Sequence, residues 1–498
     1  MKKISLIGLA IIMLSIFSCK KDIQEDLTNQ PQQKTLLSGK QVSEIIKQTY
    51  DLNGKFDWSM VEPNVLWSAA LAGEKHVITI GYGSYNDYAH DDNKSPLTNQ
   101  TKNAIVSILE KYEGKQKKSI ILFDDKELQY MDVLVSKLET VQELRNLQNI
   151  RYIEPVTYEF SKYSGQDTRS SSGCSVSPTT ISYNDYTTLS TGAKIPWSYS
   201  IHKIPQAWNY SKGRGITVGV IDTGISPYQQ NLGSKFDDYY SGRYVQKYGT
   251  YIDSYWWWSS NYDGPDDRCG HGTSSCSSVA APNNNNGLPV GVAYECNLVS
   301  YRGTSDVVLN DYHERKGVTM ALKALARRSD IKIISMSIGY PWSIGNIKDA
   351  VKYAYNHGKL IFAAGGTSTS YTNWYPVIFP ASMSETVAVT GIEEGNGYSE
   401  CDVCHTGSQI IFTYVMERSN NHHQPVVGFY NNTSEYFGGS SVATASTAGI
   451  AALVWARYPY WNRDQVLNRM KWAADLYPYK SSNFGYGNIN ALKAVRGY

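Results

Sequence analysis

Hydrophobic and polar positions divide the chain into segments of different rhythm. From Ile4 to Ser18 the residues are almost unbroken apolar, behind the cationic start Met1-Lys2-Lys3. That stretch is shorter than the ~18 residues of a membrane span and has the form of a secretory signal core; no apolar run elsewhere reads as long enough to span. Residues 20 to about 70 are polar and irregular, with one helix predicted around Val42 to Tyr50. Alternation then predicts a strand over His76 to Gly81, a helix over Thr98 to Tyr112, and strands over Ser119 to Phe123 and Met131 to Val135. A helix over Leu138 to Leu147 and a strand over Ile150 to Glu154 complete a β-α-β-β-α-β order, the ferredoxin-like arrangement.

From Ser161 to Lys194 the chain turns rich in Ser, Thr, Gly and Tyr, most open at Ser170-Ser171-Ser172-Gly173, which reads as a linker or a cuttable exposed loop. Beyond it, apolar strands are predicted over Ile216 to Ile221, Leu298 to Tyr301, Ile331 to Met336, Leu360 to Ala364 and Thr386 to Val389. Helices are predicted over His271 to Ala281, Val318 to Arg327, Ala350 to Asn356 and Ser441 to Tyr458. Such alternation predicts an α/β domain, a parallel sheet with helices on both faces.

Composition adds exclusions. With 498 residues, 41% hydrophobic and 18% charged, the chain is not disordered, collagen-like or coiled coil. Its formal charge of +2 excludes an electrostatically driven nucleic-acid partner. Seven cysteines is an odd count, and Cys19 accounts for the odd one. The ending Ile16-Phe17-Ser18-Cys19 resembles the lipobox of bacterial lipoproteins. The resemblance implies cleavage before Cys19, lipidation of its thiol and amine, and attachment to a membrane by acyl chains. Lys20, where inner-membrane retention is associated with Asp, favours the outer membrane or cell surface.

Three segments carry chemistry: Val218-Gly219-Val220-Ile221-Asp222-Thr223-Gly224, Gly270-His271-Gly272-Thr273, and Gly438-Gly439-Ser440-Ser441-Val442-Ala443. Nucleophilic acyl transfer needs a hydroxyl, an imidazole to take its proton and a carboxylate to orient the imidazole. A strand ending in Asp222 places that carboxylate at the carboxyl edge of a parallel sheet, and His271 and Ser441 each open a helix. Asp-Thr-Gly also occurs in aspartic proteases, but those need two copies per site and this chain has one.

In the order Asp, His, Ser, separated by 49 and 170 residues, these segments resemble the subtilisin family of serine endopeptidases. The resemblance covers about Pro196 to Val495, including Ile204-Pro205-Gln206-Ala207-Trp208, Ile334-Ser335-Met336-Ser337-Ile338-Gly339 and the end Gly485-Tyr486-Gly487-Asn488-Ile489-Asn490-Ala491, after which no further domain is expected. It implies Ser441 as nucleophile, His271 as general base and acid, and Asp222 as the orienting carboxylate. It also implies that the Ser337-Ile338-Gly339 backbone pairs with a polypeptide substrate as an added strand. Residues 75 to 156 resemble the family's ferredoxin-like chaperone and inhibitor, whose end would fall at Asn149 to Pro155. Three positions depart from the pattern: Ser440 and Ala445 stand where the family has Thr and Pro, both small changes, and Gly366, in Phe362-Ala363-Ala364-Gly365-Gly366, stands where the family places the Asn whose amide completes the oxyanion hole. Loss of that donor costs ~10²–10³ in turnover, a figure measured in this same family. Thr367, a neighbouring side chain or a water is then required in its place, or the protease is slow.

The six remaining cysteines, Cys174, Cys269, Cys276, Cys296, Cys401 and Cys404, suit disulfides of an exported protein. A bridge from the His271 helix to the Cys296 strand is one expectation. Cys401-Asp402-Val403-Cys404-His405 fits a c-type haem pattern and, with His422 and His423, imitates a zinc cluster, but a disulfide or free thiols is the favoured reading. Pro282 to Leu288 matches a calcium loop of the family in position, making Asn284 a candidate ligand beside Asn231 for a structural Ca²⁺; no cofactor is required for activity. The ring-dense segment Tyr239 to Tyr262 is either an aromatic wall beside the cleft or packing on the domain.

The expected division is a lipoprotein signal over 1–18, a tether over 19–70, a propeptide over 71–160, a linker with the maturation site over 161–195 and a catalytic domain over 196–498. The expected function is that of a lipid-anchored, exported serine endopeptidase made as a proenzyme, with its own propeptide as inhibitor. The alternative is a weak or inactive member acting as a surface binding protein.

Overall fold

The computed structural model describes residues 35–73, 75–84, 96–114, 117–156, 158–164, 173–237, 242–252, 261–367, 375–395 and 397–497. The signal, Cys19, the first part of the tether and residues 165–172 of the linker lie outside the described residues.

Seven strands form the central sheet. To leave room for those before them they are numbered β5 (Thr217–Asp222), β6 (Val245–Gly249), β7 (Asn297–Arg302), β8 (Ile331–Met336), β9 (Leu360–Ala364), β10 (Val387–Glu393) and β11 (Ile410–Glu417). Their spatial order is β11-β10-β9-β8-β5-β7-β6, and every neighbouring pair is parallel. A parallel sheet needs cover on both faces, so β5 is buried at every residue. Side chains of β8 show the alternation: Ile334 and Met336 join one core and Ile333 the other.

Before this sheet, β1 (Val77–Tyr82), β2 (Ile121–Asp125), β3 (Tyr130–Leu134) and β4 (Ile150–Pro155) form an antiparallel sheet of order β2-β3-β1-β4. Helices α3 (Pro96–Glu113) and α4 (Leu138–Asn146) complete the ferredoxin-like βαββαβ unit; α1 (Gly39–Asn53) and α2 (Pro63–Ala72) precede it. The second strand starts later than its alternation predicts, because Lys117–Ile120 form a helical turn.

The tether reading of 19–70 is corrected for its described part. A capping box between Ser38 and Gln41 starts α1, Pro63 opens α2, and Val42, Ile46, Phe56, Trp58, Leu66 and Ala69 are buried. The Phe56 and Trp342 rings meet edge to face at 5.1 Å. These apolar residues are spaced too far apart to show a single periodic face, yet together they fill one core with the ferredoxin-like sheet.

Two further helices, α6 (Tyr312–Arg327) and α7 (Gly345–Asn356), receive the ferredoxin-like unit. Tyr312 Oη donates to Asp132 Oδ2 at 2.8 Å, and Arg151 Nη2 pairs with Asp349 Oδ2 at 2.7 Å with both side chains nearly water-free. The Gly345 N–H donates to Glu154 Oε2 at 2.8 Å. Burial pushes the Glu154 carboxyl up to about 8. A carboxyl raised on docking contributes stability fully present below its ordinary value of 4.5 and lost as pH rises through about 8. Raising pH across that window is therefore expected to loosen β4 from α7, by at most about tenfold per pH unit. Hydrogen exchange of residues 150–156 checks it, and Glu154→Gln is expected to flatten the dependence.

Candidate active site

Asp222 ends β5 with no solvent exposure. Its Oδ1 accepts from the Thr223 N–H at 2.8 Å and faces His271 Nδ1 at 2.8 Å, while its Oδ2 accepts from the Ser275 hydroxyl at 3.0 Å. His271 is the first residue of α5 (His271–Ala280), and Ser275 lies one turn further along it. The start of this helix has no side-chain cap at Gly270. Asp267 supplies the cap instead, taking the N–H groups of Cys269, Gly270 and Thr273 and the hydroxyls of Thr223 and Thr273. Sequence reasoning missed Asp267; its place four residues before a helix-opening histidine was the available signal.

The Nε2 of His271 faces Ser441 Oγ at 2.9 Å. Ser441 is the third residue of α8 (Gly439–Arg457), so its N–H is among those of the first turn that have no intrahelical partner. This helix is apolar enough to suit a membrane by length and composition, yet 89% of it is buried in the domain. Burial lowers the His271 pKa, but the charge and hydrogen bond of Asp222 outweigh it, leaving a net rise above 6.5. The imidazole is thus a better base than an ordinary histidine and stabilised once protonated.

His271 and Ser441, with Asp222 buried behind the imidazole, open on a cavity of about 340 Å³ that Ser337, Ile338, Gly339, Gly366 and Thr367 also line. The Ser337 hydroxyl donates to the Ser441 carbonyl at 3.1 Å. Gly339 does not present the open strand edge expected of it: its N–H donates to Val307 O at 2.9 Å, and its carbonyl accepts from the Leu309 N–H at 3.0 Å.

Gly366 has φ +130, and a Cβ placed there would meet His405 Nδ1 at 2.4 Å. The His405 ring therefore fills the space an asparagine side chain would need. The Gly366 N–H donates to Ser440 Oγ at 3.2 Å, Ser440 Oγ contacts Thr367 Oγ1 at 3.1 Å, and the Ser440 N–H donates to Thr367 Oγ1 at 3.2 Å. Two hydroxyls thus stand beside Ser441 where the amide is missing.

A model of the subtilase family matches residues 213–488. The chain belongs to the subtilase family. It is a serine endopeptidase, similar over 306 residues to thermitase of Thermoactinomyces vulgaris, 25% identical across 59% of this chain and 92% of that one. Subtilisin DY of Bacillus licheniformis is 29% identical across 58% of this subtilase and 94% of its own length. The crystal structure of fervidolysin from Fervidobacterium pennivorans shares the fold, with a TM-score of 0.57 and 15% identity over 85% of this chain and 61% of that one.

Among the described residues of this subtilase two disulfides form, Cys174–Cys269 and Cys401–Cys404. The expected bridge to Cys296 is absent: Cys276 and Cys296 are free, buried and packed in the same apolar core. Burial pushes the Cys296 thiol up to about 11, so it is a neutral core group rather than a nucleophile. The Cys174 bond changes the reading of the linker. Gly173, Ser175, Ser177 and Thr179 line the cavity, the Thr179 N–H donates to Ser434 O at 2.8 Å, and the covalent tie falls two residues before His271. Gly270, with φ +92, lets this strap pass, because a Cβ would sit 1.9 Å from Ser175 O.

The calcium reading of Asn284 does not fit the donors present. Amide N–H groups of Asn284 and Asn286 both donate to Asn231 Oδ1, the former at 3.3 Å, so that oxygen is already engaged, and the three asparagines bring no carboxylate. Among the described rings of the aromatic segment, Tyr248 stacks on Tyr301 at 5.0 Å and Tyr244 donates to Asp330, and none lines the cavity.

Gly366→Asn is expected to lower expression or melting temperature without raising kcat, because His405 occupies the space; Thr367→Val is expected to lower kcat by ~10-fold or more at unchanged folding. The rate of covalent capture of Ser441 is expected to rise with pH to a plateau, with its midpoint above 6.5, and Asp222→Asn is expected to cut that plateau by ~10⁴.

Proposed function

We propose that this subtilase cleaves extended polypeptides through an acyl-enzyme on Ser441. The observation that carries the proposal is the continuous bond path from Asp222 Oδ1 to His271 Nδ1 at 2.8 Å and from His271 Nε2 to Ser441 Oγ at 2.9 Å. Ser441 Oγ attacks the scissile carbonyl carbon while His271 Nε2 takes the hydroxyl proton, and Asp222 stabilises the imidazolium. The Ser441 N–H, aided by the Ser440 and Thr367 hydroxyls, holds the oxyanion. Collapse expels the amine with the proton from His271, and water then releases the acid by the same steps in reverse.

The ferredoxin-like unit acts in this proposal as a propeptide that docks on α6 and α7 and is removed by a cut in the linker between Ser161 and Cys174, since a cut after Cys174 would leave it tied to Cys269. Support comes from its topology and from the buried Arg151–Asp349 pair across the contact. Export, and anchoring of the uncut precursor through Cys19, rest on the apolar start and the lipobox resemblance, and export agrees with likeness to the minor extracellular protease Epr of Bacillus subtilis.

A fluorophosphonate probe tests the central claim. Covalent labelling of Ser441 in the matured wild type and none in Ser441→Ala is the expected result. No labelling after full removal of the propeptide would establish the alternative reading, a surface binding protein, for which Gly366 is the motivating residue. Ser441→Ala is also expected to accumulate unprocessed precursor on a gel; a mature-sized band from that variant would mean that another protease performs the cut.

A further inference from the structure

A substrate that adds a strand to an enzyme gains affinity by pairing its backbone with a free edge, and alternate residues of that strand meet alternate residues of the edge. With the first acyl-side residue at Ser337, beside Ser441, the third acyl-side residue falls at Gly339. Gly339 has nothing left to offer. Its N–H and carbonyl point to one side and are both taken there by Val307 O and the Leu309 N–H, a parallel bridge centred on Val308. On the other side the next residue, Tyr340, exchanges both of its backbone bonds with Phe379 at 2.9 Å. The stretch therefore has a neighbour on each edge.

The loop that occupies Gly339 is braced from within. Asp306 Oδ1 accepts the Val307 N–H, the Asn310 N–H closes on Val308 O at 2.9 Å, and Arg315 Nε donates to Leu309 O at 3.1 Å. Leu309 is fully buried. From the opposite wall the disulfide-held strap reaches the same place: a Cβ on Gly173 would lie 3.6 Å from Val307 and 3.9 Å from His271 Cδ2.

We propose that Val307–Leu309 terminates the acyl side of the cleft, so that this subtilase reads two acyl-side residues by backbone and pocket contacts and the third turns out into solvent. The inference rests on Ser441 being the nucleophile, and it assigns Val308 and its neighbours as the specificity-determining boundary. It predicts an endopeptidase nearly indifferent to sequence beyond the second acyl-side residue.

The test uses the matured enzyme with both disulfides intact and a series of quenched fluorescent peptides sharing one scissile pair. The acyl side carries one to five residues, and a second set bears a single N-methyl group on the amide of the first, second or third. The expected result is that kcat/KM rises up to two residues and then changes less than about threefold. N-methylation of the first amide costs ~10-fold, the size of one lost hydrogen bond, and that of the third less than about threefold. A further rise of tenfold between two and four residues, or a tenfold loss on N-methylation of the third, would mean that the loop yields its place to substrate and would overturn the proposal while leaving Ser441 as nucleophile. Cleavage of no peptide together with no fluorophosphonate labelling would remove the nucleophile reading, and this inference with it.

Discussion

A carboxylate sealed from water is the constraint around which the catalytic domain is arranged. Asp222 has no solvent exposure, and no cation of Lys or Arg pairs with it among the described residues. A buried charge of that kind costs several kcal/mol unless donors inside the fold satisfy it. Three do: the N–H of the next residue, a serine one helical turn from His271, and the imidazole itself. Two of the three sit on α5, so the strand end and the helix start must keep one fixed separation. Asp267 enforces it by binding the first N–H groups of α5 and the Thr223 hydroxyl beside Asp222 at once.

The same economy of space explains the altered oxyanion side. His405 is buried with neither ring nitrogen partnered among the described residues, and burial alone pulls it down to about 4, so it stands as a neutral plug behind Gly366. It is placed by the short Cys401–Cys404 loop and by its own N–H, which donates to Gly366 O at 3.0 Å. Two features of the sequence, an absent asparagine and a Cys-x-x-Cys-His run, are thus one: the ring of the second takes the volume vacated by the first.

Much of this was legible beforehand because it is local. The β5 run ending at Asp222, the glycines around His271 and Ser441, and the ferredoxin-like element order are carried by short contiguous patterns. What was not legible is what depends on contacts distant in sequence. The pairing of Cys174 with Cys269 spans 95 residues and turns a Ser-rich linker into part of the cleft wall. The α2 helix shows no polar face to mark it, since its residues pack on α1 and on the ferredoxin-like unit. The Asn-rich loop looked like a cation site by position, and only the direction of its amides shows that it is closed.

The ferredoxin-like unit and the cleft are linked through the starts of two helices. The loop Val307–Leu309 runs directly into α6, whose first residue Tyr312 donates to Asp132. The segment Ser337–Tyr340 runs into α7, whose first residue Gly345 donates to Glu154. Both carboxylates belong to the four-stranded sheet and both are buried. The Gly345 N–H is one of those a helix start leaves without an intrahelical partner, so Glu154 fixes where α7 begins, whereas Asp132 holds α6 through the side chain of its first residue. Fixing α7 at Glu154 and α6 at Asp132 sets the positions of the two segments that precede them, and these are the segments joined by the Val308–Gly339 bridge. The width of the acyl side is therefore a property of the docked unit as much as of the catalytic domain, and any force that separates β4 from α7 acts first on the wall of the cleft.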